Sequence, residues 1–260
     1  MKRTITWGIG VLALAGMTVP SIAADLGARP ITKAPVMVPP PFSWTSCYLG
    51  INGGGKWANW TGDGAVVNVN GATFAGVANG NGNGGGSGMF GGQLGCQWQT
   101  GNFVLGLEGD FDGVNAKRSL VAGPGAVFFL PGDTVVFKND WQASIRGRVG
   151  YAWDRWLLYA TGGAAFADVK GTVLLVPSLN FPSFAGSASN TATGWTIGGG
   201  VEYAFLDYLS FGVEYRYSSF GHQTLGIGTI DGTNVAISAN PGLNTNEVTA
   251  RLNWHFGGFH

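Results

Sequence analysis

Near the end of the chain the run Val248-Thr249-Ala250-Arg251-Leu252-Asn253-Trp254-His255-Phe256 alternates without a break. Val248, Ala250, Leu252, Trp254 and Phe256 share one parity; Thr249, Arg251, Asn253 and His255 share the other. Successive side chains of a strand point to opposite faces, so this segment has one apolar, ring-bearing face and one polar face. An aromatic-rich outer face opposite a polar inner one is what a strand in a lipid-embedded barrel requires.

Working back from this strand, the same pattern recurs. Leu209, Phe211, Val213, Tyr215 and Tyr217 oppose Ser210, Glu214 and Arg216, and Trp195, Ile197, Val201, Tyr203 and Phe205 oppose Thr196 and Glu202. Trp141, Ala143, Ile145, Val149, Tyr151 and Trp153 oppose Gln142, Ser144, Arg146 and Arg148. Phe103, Leu105, Leu107 and Phe111 oppose Glu108, Asp110 and Asp112, and Phe90, Leu94, Cys96 and Trp98 oppose Gln93, Gln97 and Gln99. The segment Trp156 to Ala167 reads as a strand that is apolar on both parities, so its facing stays open. A first strand, blurred by glycine, runs from near Trp44 to about Trp57.

The expectation is all-β: an eight-stranded antiparallel transmembrane up-and-down barrel. Three tight turns, at Thr100-Gly101-Asn102, Asp154-Arg155 and Leu206-Asp207-Tyr208, lie on the periplasmic side. Four long connections, roughly residues 58 to 87, 113 to 139, 169 to 193 and 219 to 245, read as extracellular loops. Magnitude decides the facing, because Arg or Lys on the lipid face near the midplane costs ~2–4 kcal/mol. Reversing the strands would expose Arg146, Arg148 and Arg216 there, so the charged parity faces inward.

The inward set is then Glu108, Asp110, Asp112, Glu202 and Glu214 with Arg146, Arg148, Arg216 and Arg251. An eight-stranded barrel has room for little beyond its own side chains. Arg–carboxylate pairs are therefore expected, as a structural polar core or as a narrow charge-lined path for small solutes.

Residues 1–23 read as a signal peptide, with basic Lys2 and Arg3, an apolar Ile5 to Val19 stretch and small residues at Ser21-Ile22-Ala23-Ala24. Residues 24–43 form a Pro-rich periplasmic segment, and 44–260 the barrel. Removing Lys2 and Arg3 leaves 12 basic residues against 14 acidic, a net charge near −2 that argues against nucleic acid as a partner. Gly at 46 residues, Trp at 10 and only 11% charged residues suit a surface that meets lipid.

Other motifs carry little. Gly50 to Trp57 nearly spells a phosphate-binding loop, but Trp57 replaces the required hydroxyl and no helix follows. His222, His255 and His260 are too scattered for a metal cage, and Ser219 with His222 lacks an orienting acid. No cofactor and no enzyme activity are expected. An even cysteine count in an exported chain suggests a Cys47–Cys96 disulfide. The alternative is two free thiols, because a register offset could hold the Cα atoms beyond ~7 Å.

Ala24-Asp25-Leu26, Ala28-Arg29-Pro30, Lys33-Ala34-Pro35, Phe42-Ser43-Trp44-Thr45 and Tyr48-Leu49-Gly50 together resemble the mature N-terminus of the alphaproteobacterial outer-membrane surface antigens, eight-stranded barrels of the porin-opacity type. Leu158 to Phe166 and Gly194 to Ala204 look like two further signature strands, and Val248 to Phe256 is similar to the closing strand read by the insertion machinery. Here four more residues, Gly257 to His260, follow that strand. The resemblance implies an abundant, immunogenic structural protein of the bacterial outer membrane, partnered by lipid and by the assembly machinery. It also brings in two alternatives, a narrow passive porin and a surface protein whose long loops bind haem or a host component.

Overall fold

The computed structural model describes residues 42–61, 63–79, 82–121, 132–177, 183–230 and 235–257. The expected signal peptide, most of the Pro-rich segment and His260 lie outside them. Twelve strands are present among the described residues: β1 (Ser46–Thr61), β2 (Asp63–Val69), β3 (Ala72–Asn79), β4 (Gly82–Thr100), β5 (Phe103–Val121), β6 (Thr134–Trp153), β7 (Trp156–Leu175), β8 (Phe184–Leu206), β9 (Leu209–His222), β10 (Leu225–Ile230), β11 (Val235–Ala239) and β12 (Gly242–Phe256). Eight of them close into an antiparallel barrel in the order β1-β12-β9-β8-β7-β6-β5-β4.

The parity of the sequence becomes the two faces of the wall. On β6, Ile145, Val149 and Trp153 are exposed while Ser144, Arg146 and Arg148 are buried. On β7 the open facing resolves, with Leu157, Tyr159 and Thr161 inward and Trp156 and Leu158 outward. Rings gather at both ends of the outer face: Phe111 stacks on Trp141 at one end, and Tyr151 meets Trp153 edge-on at the other. The turn between β6 and β7 holds Asp154 at φ 50°, a conformation that aspartate tolerates better than most residues.

Two of the connections expected as loops contain more strand than their composition suggested. The β2–β3 and β10–β11 hairpins join through β11 and β2 into a four-stranded sheet, ordered β10-β11-β2-β3. The runs involved are five to eight residues long, and glycine interrupts β3 and β10, so their alternation is hard to separate from loop. Burial gives them away. Leu225, Ile227, Ile230, Val235 and Ile237 lie in one apolar core with Trp60, Phe137, Val173 and Leu243 from the barrel strands. The barrel strands also run beyond the expected wall, β5 to Val121 and β7 to Leu175.

Candidate functional site: a cross-linked barrel interior

The lumen is built in layers. At the periplasmic end Trp44 does not begin a strand, as its sequence position suggested. It turns under the barrel, where its indole Nε1 donates to the Asp154 carbonyl (3.1 Å) and its backbone N–H to Gln99 Oε1 (2.7 Å). The ring is buried against Val104, Ala152, Leu157, Tyr159 and Ala204. A short apolar lid results, with Phe42 packed edge-on against Trp44 at 5.2 Å.

Above the lid, Glu202 pairs with Arg148 and accepts from Ser210 Oγ (2.5 Å) and Asn253 Nδ2 (2.8 Å). His255 of the last strand bridges two hydroxyls: Nδ1 lies 2.9 Å from Ser46 Oγ and Nε2 lies 2.7 Å from Ser210 Oγ. The Arg148 guanidinium lies 3.6 Å from the Tyr159 ring centroid. Tyr48 and Tyr159 lie over Gly95 and Gly200. A Cβ at either glycine would meet the phenol oxygen at 2.6 Å, so the close approach requires glycine there.

The middle layer is a closed ring of four charges from four strands. Arg146 of β6 reaches Glu108 of β5 (2.5 Å) and Glu214 of β9 (2.6 Å). Arg251 of β12 pairs with the same two carboxylates from the other side. Each carboxylate also accepts a phenol hydrogen bond, Glu108 from Tyr48 (2.5 Å) and Glu214 from Tyr159 (3.0 Å).

In the upper layer Arg216 spends its whole fork on three acids: Asp110 (2.9 Å), Asp112 (2.9 Å) and Glu247 (2.6 Å). Lys56 stands 3.5 Å from Glu247 and donates to Asn139 (2.9 Å) and Gln142. Arg146 links this layer to the ring through Asp110 (2.9 Å).

The structure brings all nine expected lumen residues into one network and adds Lys56, Glu247, Tyr48 and Tyr159. Parity could have found the first two. Glu247 continues the inward face of Thr249 and Arg251, and Lys56 continues that of Asn52 along β1. The network holds six carboxylates against five cations, all buried. Over it lies the apolar core of the outer sheet, where Trp60 stacks on Phe137 at 5.6 Å.

Two features lie off this network. Cys47 and Cys96 are disulfide-bonded, directly opposite in the β1–β4 register with Cα atoms 3.9 Å apart. They sit on the outer wall beside Leu49, Leu94, Trp254 and Phe256. Ser219 and His222 stand on different rungs of β9, opposite Asn244 and Gly242 of β12.

The family described as "Outer membrane protein beta-barrel domain" matches residues 44–256 of this chain. The chain is 30% identical to the 31 kDa outer-membrane immunogenic protein of Brucella melitensis biotype 1, over 98% of this chain and 100% of that protein. It is 29% identical to the 25 kDa outer-membrane immunogenic protein of Brucella abortus biovar 1, over 81% of this chain and 82% of that one. Among solved structures, the outer membrane protein OprG from Pseudomonas aeruginosa aligns with a TM-score of 0.46 and 11% identity, covering 84% of this chain and 100% of that one.

Proposed function

This chain belongs to the outer-membrane protein beta-barrel family and resides in the bacterial outer membrane, and on that premise we propose that it is a non-conducting, non-enzymatic barrel that strengthens the envelope and displays its outer sheet to the surroundings. One observation carries the reading: the interior is cross-linked side to side and shut at both ends, by Trp44 below and the apolar core above. A passive pore needs a continuous wet path, whereas here the lumen charges are bound to one another in three successive layers.

The buried Ser210 and Glu202 with the half-buried His255 do not amount to a nucleophile. Ser210 has one proton and donates it to Glu202, and the hydroxyl is fully buried. On this reading the chain's partners are the lipid around its ring-bearing belt and the machinery that inserts the closing strand Val248 to Phe256.

The test has two arms. In planar bilayers the purified protein should show no steady conductance; a stable open level would overturn the non-conducting reading. Deleting the chain from its own bacterium should raise detergent sensitivity, reversed by restoring it. An unchanged envelope would remove the strengthening role.

A further inference from the structure

Outside the lumen the described residues include five basic side chains, and four of them stand on the outer ends of β5, β6 and β7. Arg118 turns inward and donates to the Trp60 carbonyl (3.0 Å). The other three form a row: Lys117 is directly opposite Lys138, and Lys138 is directly opposite Lys170. Lys170 is held by Asp140 (2.6 Å) and Asp168 (3.1 Å). Lys117 and Lys138 are exposed and have no acidic partner among the described residues. Like charges directly opposite each other on a sheet repel, so this row calls for an anion.

Its height says which one. Along β6 the outer ring residue Trp141 and the inner one Tyr151 are ten residues apart. At ~3.3 Å per residue and a tilt of roughly 40°, that spans ~25 Å, the height of an outer-membrane apolar band. Lys138 is three residues farther out across a register shift, two to three rungs or ~5–8 Å above Trp141 on the same scale. This is the headgroup layer, which adds roughly 5–8 Å to each side of the hydrocarbon. Farther down the same three strands, Gly109 and Ala143 floor an apolar groove walled by Phe111, Ile145 and Phe166, which continues past Leu94 of β4 to Leu49 of β1. Around the girdle ring Trp195 on the other side of the barrel, the outer face carries Tyr217, Ser219, Asn244, Asn246 and Asn59, and no cation among the described residues.

We propose that Lys117 and Lys138, beside the carboxylate-held Lys170, form a one-sided docking surface for the phosphorylated headgroup of an outer-leaflet lipid, with its acyl chain in the groove farther down the same strands. Phosphate oxygens between Lys117 and Lys138 replace their mutual repulsion with two charge-assisted contacts.

The experiment titrates the folded full chain, in neutral detergent, with bisphosphorylated lipid A. Lys117→Gln/Lys138→Gln should weaken binding about thirtyfold. Arg155→Gln, at the periplasmic turn, should leave it unchanged. Wild-type binding should fall with added salt, dephosphorylated lipid A should bind the wild type no better than bisphosphorylated lipid A binds the double variant, and inorganic phosphate at matched phosphate concentration should not displace the lipid. Heat-modifiable gel migration checks that each variant is folded, and the salt and dephosphorylation arms need no variant. Equal affinity for the two lipids, unaltered affinity of a folded double variant, or full displacement by inorganic phosphate would each overturn the proposal.

Discussion

Arg251→Met removes one corner of the four-charge ring while keeping a side chain of similar length. Arg251 contributes one pair to Glu108 and one to Glu214, both fully desolvated. Without it, Arg146 alone must answer both carboxylates, and the lumen shifts from six acids against five bases to six against four. Two lost hydrogen bonds to charged groups at ~1.5–3 kcal/mol each suggest a loss of about 3–6 kcal/mol. Breaking a buried pair from one side gives ~3–5 kcal/mol, so about 4 kcal/mol is the working figure. That is nearly a thousandfold in the folded-to-unfolded ratio. Reversible urea unfolding in lipid vesicles, followed by tryptophan fluorescence, measures it. The sharper test is the double variant Glu108→Gln/Arg251→Met, which restores an excess of one acid by removing both ends of one pair. It should be more stable than Arg251→Met alone. If the single variant unfolds at the wild-type urea concentration, or the double simply adds two losses, the ring does not work as a coupled unit.

Trp44→Ala should cost ~3–5 kcal/mol in the same unfolding assay, because it empties a closed apolar lid. It should still give no conductance, since the charged layers above are untouched; an open pore in this variant would make the lid the sole barrier. Cys47→Ser/Cys96→Ser should lose at most ~4 kcal/mol, the chain-entropy limit for cysteines 49 residues apart, read as the difference between oxidised wild type and the variant. Identical midpoints would show that β1 and β4 need no covalent clamp.

Much of the wall could be read from parity alone. Every strand in which one face carries Arg or Glu, such as β6 with Arg146 and Arg148, was legible because a charge on the lipid side is so expensive. Glycine hid the inward face of β1: Gly50 and Gly54 interrupt the series that places Asn52 and Lys56 inside. The outer sheet was hidden by scale. β11 has five residues, and its apolar positions Val235, Ile237 and Ala239 gain meaning only when Phe137 and Leu243 pack near them.

The facing of β7 stayed open for a different reason. Its inward face is apolar at both ends because Leu157 belongs to the lid around Trp44, while Ala165, Ala167 and Val169 belong to the outer core. Only Tyr159 and Thr161, between them, touch the charged layers, through Glu214 and Arg146. A lumen open to water would keep its polar parity along the whole strand, since exposed apolar lining gains nothing there. On the proposed non-conducting reading, loss of alternation on β7 is the linear trace of apolar packing at two heights. The residues that break the pattern are therefore the ones on which the proposed difference from a conducting barrel turns.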